Sequence, residues 1–211
     1  LEAGAATDQA DARGFTPLST ASFAGEIECA RLLLEASAAV NQAKDGTTPL
    51  YIACQQGQIE CVRLLLEASA AVNQACNNGA TPLLVACQHG HLDIARLLLE
   101  ASASINQAMN CGTTPLSMAC QNGHLEIVRL LLEASAAVDQ AMNNGTTPLL
   151  VACVQGHLEV AKLLSSYGAS RAAVPPFDTP EEVANRDGHA DLAAWLVARR
   201  GWTPLAHLET L

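Results

Sequence analysis

Cysteine and histidine are the residues of this chain with the most chemistry to offer, and their spacing decides how much of it can be used. Eight cysteines and six histidines occur in 211 residues, enough in principle for disulfides, a zinc site or a thiol nucleophile. Cys54, Cys87, Cys120 and Cys153 stand in Ile-Ala-Cys, Val-Ala-Cys, Met-Ala-Cys and Val-Ala-Cys, one position repeated four times. Cys29 and Cys61 share a second position, in Ile-Glu-Cys-Ala-Arg and Ile-Glu-Cys-Val-Arg. A small apolar thiol recurring at one helical position is core packing, so these six are expected to be reduced and buried. Cys76 and Cys111 fall in loop tips, where exposure is expected. Zinc needs a Cys-x-x-Cys pair, which does not occur, or a His and a Cys facing one another on one turn, and no such site is expected. His91, His124, His157 and His189 recur in step, so packed helices would set them about 8–10 Å apart, too far to share an ion whose ligand bonds are about 2 Å. His89 and His91 could meet across a turn but lack a third ligand, and His207 stands near the end. No Gly-x-Ser-x-Gly, phosphate-binding loop or His-Glu-x-x-His is present, so neither a catalytic residue, a metal nor a cofactor is expected. The chain reads as a non-enzyme.

The elements that carry these residues follow from one interval. Thr-Pro-Leu recurs at Pro17, Pro49, Pro82, Pro115 and Pro148, and Thr-Pro again at Pro180, separated by 32, 33, 33, 33 and 32 residues. A period in the low thirties marks a solenoid, whose units bury their apolar faces only by stacking on neighbours. Residues 76–108 show one unit. Asn77-Asn78-Gly79 is a turn cluster; Thr81 caps a helix with Pro82 in its first turn; Gly90 reverses the chain. A second helix from His91 to about Ala101 carries Ile94, Leu97 and Leu98 at i, i+3 and i+4. Each unit is therefore a loop followed by an antiparallel helix pair.

Composition narrows the function further. Half of the residues are hydrophobic but only 3% are aromatic, so the core is aliphatic. The net charge of −10, with 11 bases against 21 acids, excludes a nucleic-acid partner, which needs Lys and Arg clustered on one face. The charges are periodic, as in Glu60, Arg63, Glu67 and Glu126, Arg129, Glu133, and these spacings make weak pairs on a solvated helix face. No apolar run approaches the roughly 20 residues that cross a bilayer, and Leu1–Ala10 lacks the basic and apolar regions of a signal peptide. Asn144-Gly145-Thr146 would be a glycosylation sequon only in a secreted chain. Reduced thiols favour the cytosol or nucleus.

The repeat resembles the ankyrin repeat. That likeness rests on Gly112-Thr113-Thr114-Pro115-Leu116, Ala119-Cys120, Gly123-His124-Leu125-Glu126-Ile127-Val128, Leu130-Leu131-Leu132 and Ala134-Ser135-Ala136-Ala137-Val138-Asp139, and it runs in register over about residues 1–200. It implies an all-α solenoid of stacked helix-turn-helix repeats joined by β-hairpin-like loops, curved, with a concave binding face. Four departures carry information. The family's His after Thr-Pro-Leu is Ser19, Tyr51, Leu84, Ser117 or Leu150, which removes a hydrogen bond that helps fix the first turn. The second Ala of its Ala pair is Cys in four repeats. The Gly ending the second helix is Ser at Ser37, Ser69, Ser102 and Ser135, though Gly at Gly4 and Gly168; a left-handed Ser there would cost on the order of 1 kcal/mol relative to Gly. A Gln, at Gln9, Gln42, Gln74, Gln107 and Gln140, sits in every inter-repeat loop, where a ladder joining neighbouring loops is expected.

Residues 1–10 read as the tail of a truncated repeat, because Leu1–Ala5 aligns with Leu34–Ala38; 11–172 read as five ankyrin repeats and 173–200 as a degenerate, charge-rich capping repeat. Residues 201–211 are either a C-terminal tail, with Trp202 over the last helices, or the start of a further repeat. The resemblance places partner contacts on loop tips and first helices. Here the tips supply Arg13, Phe15, Asp45, Thr47, Asn77, Asn78, Asn110, Cys111, Asn143 and Asn144. The first helices supply Phe23, Gln55, Gln56, Gln88, His89, Gln121, Asn122, Val154 and Gln155. This strip is amide-rich and nearly uncharged, and Phe15 and Phe23 are its anchor candidates, unless flanking repeats cover them. The expected function is a monomeric, non-catalytic scaffold for a protein or peptide partner in the cytosol or nucleus, touching neither nucleic acid nor membrane. An engineered ankyrin binder, or an accessory binding domain of a larger enzyme, is the alternative.

Overall fold

A Thr-Pro pair is a helix start because the Thr hydroxyl can accept an otherwise orphaned N–H while Pro has none to lose. The computed structural model, which describes residues 6–173 and 178–199, begins every first helix this way. The side-chain oxygens of Thr16, Thr48, Thr81, Thr114 and Thr147 accept from the amides of Ser19, Tyr51, Leu84, Ser117 and Leu150 at 3.1–3.3 Å. Where the family's His is replaced by Ser, the hydroxyls pair directly: Thr16 Oγ1 donates to Ser19 Oγ at 3.1 Å, and Thr114 Oγ1 meets Ser117 Oγ at 3.0 Å. Thr179 closes a full capping box with Glu182.

Twelve helices result among the described residues, and no strand. They form six antiparallel pairs: α1 (Pro17–Ala24) with α2 (Ile27–Glu35), α3 (Pro49–Gln56) with α4 (Ile59–Glu67), α5 (Pro82–His89) with α6 (Leu92–Glu100), α7 (Pro115–Gln121) with α8 (Leu125–Glu133), α9 (Pro148–Val154) with α10 (Leu158–Ser166), and α11 (Pro180–Arg186) with α12 (Ala190–Ala198). The chain divides after Asn110 into two compact units. In the first, α1, α3 and α5 stack side by side, as do α2, α4 and α6; in the second, α7, α9 and α11 stack, as do α8, α10 and α12. The fold is an all-α stack of repeats, as the period predicts. The expected truncated start at residues 1–5 with Gly4, the Val174–Phe177 segment, and the tail from Gly201 with Trp202 and His207 lie outside the described residues.

The core is aliphatic and layered. Leu50, Leu65, Leu83 and Leu98 fill the first unit and Leu116, Leu131, Leu149 and Leu164 the second, all nearly inaccessible; burying each contributes about 1.5–3 kcal/mol. Cys54, Cys87, Cys120 and Cys153 are fully buried beside the Ala preceding each. The second cysteine register splits. Cys61 is buried but Cys29 is exposed, which corrects the expectation that both are core. Cys61 lies on α4, which packs against α2, whereas no described helix precedes the α1–α2 pair.

Four second helices, α2, α4, α6 and α8, end in left-handed backbone although serine stands where glycine is usual. Ser37, Ser69, Ser102 and Ser135 have φ of 63°, 62°, 64° and 67°, matching Gly168 at 83°. The geometry is enforced by paired hydrogen bonds: Ser37 N to Leu34 O at 2.9 Å and Ala38 N to Leu33 O at 3.0 Å, repeated at each site. That is the Schellman arrangement, which satisfies the last carbonyls only if the residue between them is left-handed.

Candidate functional site

The loop tips are tight turns locked to one another within each unit. Cys76 N donates to Ala80 O at 2.9 Å and Gly79 N to Cys76 O at 2.8 Å, closing a hairpin-like tip. Asn77 N then donates to Asp45 O at 3.0 Å and Asn110 N to Asn78 O at 2.9 Å, and in the second unit Asn143 N donates to Cys111 O at 3.0 Å. The approach is close enough to require glycine: a Cβ on Gly79, at φ 87°, would lie 2.8 Å from Asn110 N.

Lower on the loops, the ladder runs through the residue before each expected Gln. Oδ1 of Asp8, Asn41 and Asn73 accepts from the amides of Ala39, Ala71 and Ser104 at 2.7–2.8 Å, and Asp139 Oδ1 accepts from Ser170 N at 2.9 Å. A short side chain reaches a backbone amide one repeat away at little entropic cost. Gln42 does contribute a bond, from Nε2 to Asp8 O at 3.2 Å.

Histidine supplies the third cross-repeat contact. His91 Nε2 is 3.3 Å from Gln55 O, His157 Nε2 is 3.2 Å from Gln121 O, and His189 Nε2 is 2.9 Å from Val154 O. A carbonyl only accepts, so Nε2 must carry the proton. These imidazoles therefore tie the end of one first helix to the next unit. Among the described residues, no three of His, Cys, Asp and Glu are grouped so as to hold a metal ion, and no helix is long and apolar enough to cross a membrane. The thiols of Cys54 and Cys87 are pushed well up by burial, and that of Cys153 to about 12, which keeps them protonated and inert. Cys111 differs: its exposed sulfur lies 3.2 Å from Thr113 Oγ1, a contact that lowers its pKa.

The residues expected to contact a partner are exposed or half-buried and lie on tips or first helices, except Asn122 and Gln155, which are the caps just past the ends of α7 and α9. Several are partly committed to the stack. Asn78 and Asn144 use Oδ1 to hold the amides of Ala80 and Thr146 within their own turns. Asn110 Nδ2 donates to Asn77 O at 3.0 Å, and Asn122 Nδ2 to Met118 O at 2.9 Å. Gln55, Gln121 and Val154 lend carbonyls to the histidines, and His89 stacks on His91 with ring centroids 6.0 Å apart. Gln56, Gln88 and Gln155 are exposed, as is Asp45, left-handed at φ 54°.

One group comes together. Arg13, Phe15, Phe23, Thr47 and Gln55 line a cavity of about 240 Å³ with Ser19, Thr20 and Ile52. Phe23 is 59% exposed, the most open large apolar side chain described. Asp11 shapes the rim, since its carboxylate accepts from Arg13 N, Phe15 N and Arg13 Nε at 2.9–3.0 Å. The Phe15 amide in particular holds its pKa below the usual carboxylate value. Lys44, which is not among the expected contact residues, places Nζ 5.4 Å from the Phe15 ring centroid and donates to Arg13 O. Its signal was positional: Asn77, Asn110 and Asn143 occupy the same place in later tips. A larger space of about 860 Å³ lies against the α1–α2 pair, among Ala21, Cys29, Leu32 and Leu33. It is the face that later pairs use for stacking.

The repeat pattern, the Schellman ends and the loop-helix-helix order define an ankyrin-type solenoid. A model of three-copy ankyrin repeats matches residues 36–109 and 104–173, and a single ankyrin-repeat model matches 13–44. The chain belongs to the ankyrin-repeat family. No curated protein matches it significantly. Ankyrin repeats are in general protein–protein interaction modules.

Proposed function

We propose that this chain is a non-catalytic binding module that engages a protein or peptide partner through its loop tips and first helices. The observation that carries the reading is Phe23: a large apolar side chain, 59% exposed on a first helix, in a chain with only three phenylalanines. Exposed aromatics on a rigid surface are the usual anchors of an interface. The second helices, by contrast, present spaced ion pairs such as Glu60–Arg63 and Glu126–Arg129, at 3.9 and 3.6 Å between half-exposed groups, which contribute little to binding or stability. We take residues 11–172 as five repeats and 173–200 as the cap, acting as a monomer in the cytosol or nucleus. The test is a random peptide library displayed against the wild type, against Phe23→Ala/Gln88→Ala on the first helices, and against Arg63→Ala/Arg96→Ala on the second. Peptides lost only on the first variant support the reading. Peptides lost only on the second overturn it.

A further inference from the structure

Two phenylalanines and two bases of the first unit meet at one place. Of three phenylalanines in the chain, Phe15 and Phe23 line the same 240 Å³ cavity. Of seven bases before Arg171, five (Arg31, Arg63, Arg96, Arg129 and Lys162) lie on second helices. The remaining two, Arg13 and Lys44, flank Phe15 at 5.9 and 5.4 Å from its ring centroid. The later tips at the same height carry Asn77, Asn110 and Asn143, which are uncharged. The socket is thus an aromatic and aliphatic pocket with a cationic edge on an otherwise amide-lined strip.

We infer that this socket recognises an apolar side chain with a carboxylate close beside it: a segment of a partner protein carrying Leu, Ile, Met or an aromatic residue next to a single Asp or Glu. The inference rests on the protein-binding reading above. Phe15, Phe23 and Ile52 supply walls that lose water when an apolar side chain enters. Arg13 supplies the edge. Its Nε is held by Asp11 at 3.0 Å while its side chain stays 76% exposed, so the rest of the fork faces outward. Asp11 is turned into its own loop by three hydrogen bonds, one of them from Arg13 Nε, so it offsets part of the Arg13 charge, and the cationic edge is completed from the next tip. Lys44 adds a second cation, braced on Arg13 O. Neither Lys44 nor the exposed Asp45 that follows it lines the cavity itself; Lys44 reaches it through the Phe15 ring, and Asp45 repels a second carboxylate. One acid is therefore favoured over an acidic run.

The test uses random heptapeptides displayed against the whole chain, followed by calorimetry of the best synthetic peptide. Expected is an enriched Asp or Glu within two positions of a large apolar residue. Phe23→Ala should weaken that peptide about tenfold or more. Arg13→Gln/Lys44→Gln should weaken it about two- to fivefold, and changing the peptide's acid to its amide should give the same loss on the wild type and none on that variant. All three substituted residues are exposed, and unchanged melting curves establish that the variants are folded. Enriched peptides with Lys or Arg beside the apolar residue, or unchanged binding by Arg13→Gln/Lys44→Gln, would overturn the inference while leaving the protein-binding reading intact; binding indifferent to Phe23→Ala would overturn the inference and remove the anchor that carries that reading. No enrichment on the wild type over an unrelated control protein overturns that reading as well.

Discussion

Replacing the left-handed serines by glycine should stabilise the protein, and the size of the gain can be worked out from the backbone. Ser37, Ser69, Ser102 and Ser135 sit at φ between 62° and 67°, where a Cβ meets the following carbonyl oxygen and costs roughly 1–2 kcal/mol. Glycine removes that strain but frees the unfolded chain, which returns about 0.4–1 kcal/mol. The side chains themselves are exposed, so truncation forfeits little packing. The net is about 0.5–1 kcal/mol per site, and sites a repeat apart add independently. The quadruple variant should melt on the order of 10 °C higher, with its urea midpoint raised in step. Two controls isolate the cause. Ser→Ala at the same sites keeps the Cβ and should give no gain, and Gly168→Ser, at φ 83° in the same register, should lose about what each serine gains. If the quadruple variant melts no higher while Gly168→Ser is neutral, the reasoning from left-handed strain is wrong.

Four further outcomes follow from the geometry. Gly57→Ala should destabilise by about 1–2 kcal/mol. It strains φ 74° and brings the new Cβ within 2.7 Å of the His91 ring; adding His91→Ala should relieve the contact but not the strain, which a double-mutant cycle in urea would measure. Alkylation at pH 8 should label Cys111 and Cys29 within the folded protein and spare Cys54, Cys87 and Cys153, read as masses of native and urea-unfolded samples. Because burial raises those thiols' pKa above the roughly 8.5 of an unfolded cysteine, stability should fall as pH rises past that value. Asp11 works in the opposite sense. Its lowered pKa keeps the first tip's bonds fully formed above the usual carboxylate range, and they are lost as pH falls through the lowered value. Its NMR titration midpoint should lie below about 3.9, and Asp11→Asn should remove the transition.

The parts of this molecule that could be read in the sequence are those written within one repeat. Thr81-Pro82, the Ile94-Leu97-Leu98 stripe and the Ser at each helix end are local signals, and helices, core and strained caps followed from them. Contacts across about 30 residues were harder to see. The loop ladder is expected at the Gln of each loop, and Gln42 does bond Asp8 O, but Asn41 and Asn73 beside the Gln also carry it, because which neighbour reaches the next backbone depends on the pleat of two loops together. Cys29 was read as core from the register it shares with Cys61, but burial belongs to the neighbour that covers a residue and not to the residue. Lys44 escaped notice because a lone base in a loop looks solvated. Only the fold shows that it lies over Phe15.

The same commitments bear on where specificity can arise. Asn78, Asn110, Asn122 and Asn144 hold turns or neighbouring backbones. A partner competing for those groups would have to break bonds that keep the surface rigid, and an unsatisfied polar group left behind costs about 1–3 kcal/mol where it is buried. Recognition is favoured where side chains depart from the repeat without serving the stack. Phe23 is such a departure: Gln55 and Gln88 occupy corresponding places on α3 and α5, and its ring stands 59% in water. Arg13 is another, since later tips carry Asp45 or Asn78 there. Both fall in the α1–α3 region of the first unit, beside one cavity. On the binding reading proposed above, the repetition that makes the scaffold argues that discrimination would come from its exceptions, with the repeated tips contributing shape and the Phe15–Phe23 socket contributing choice.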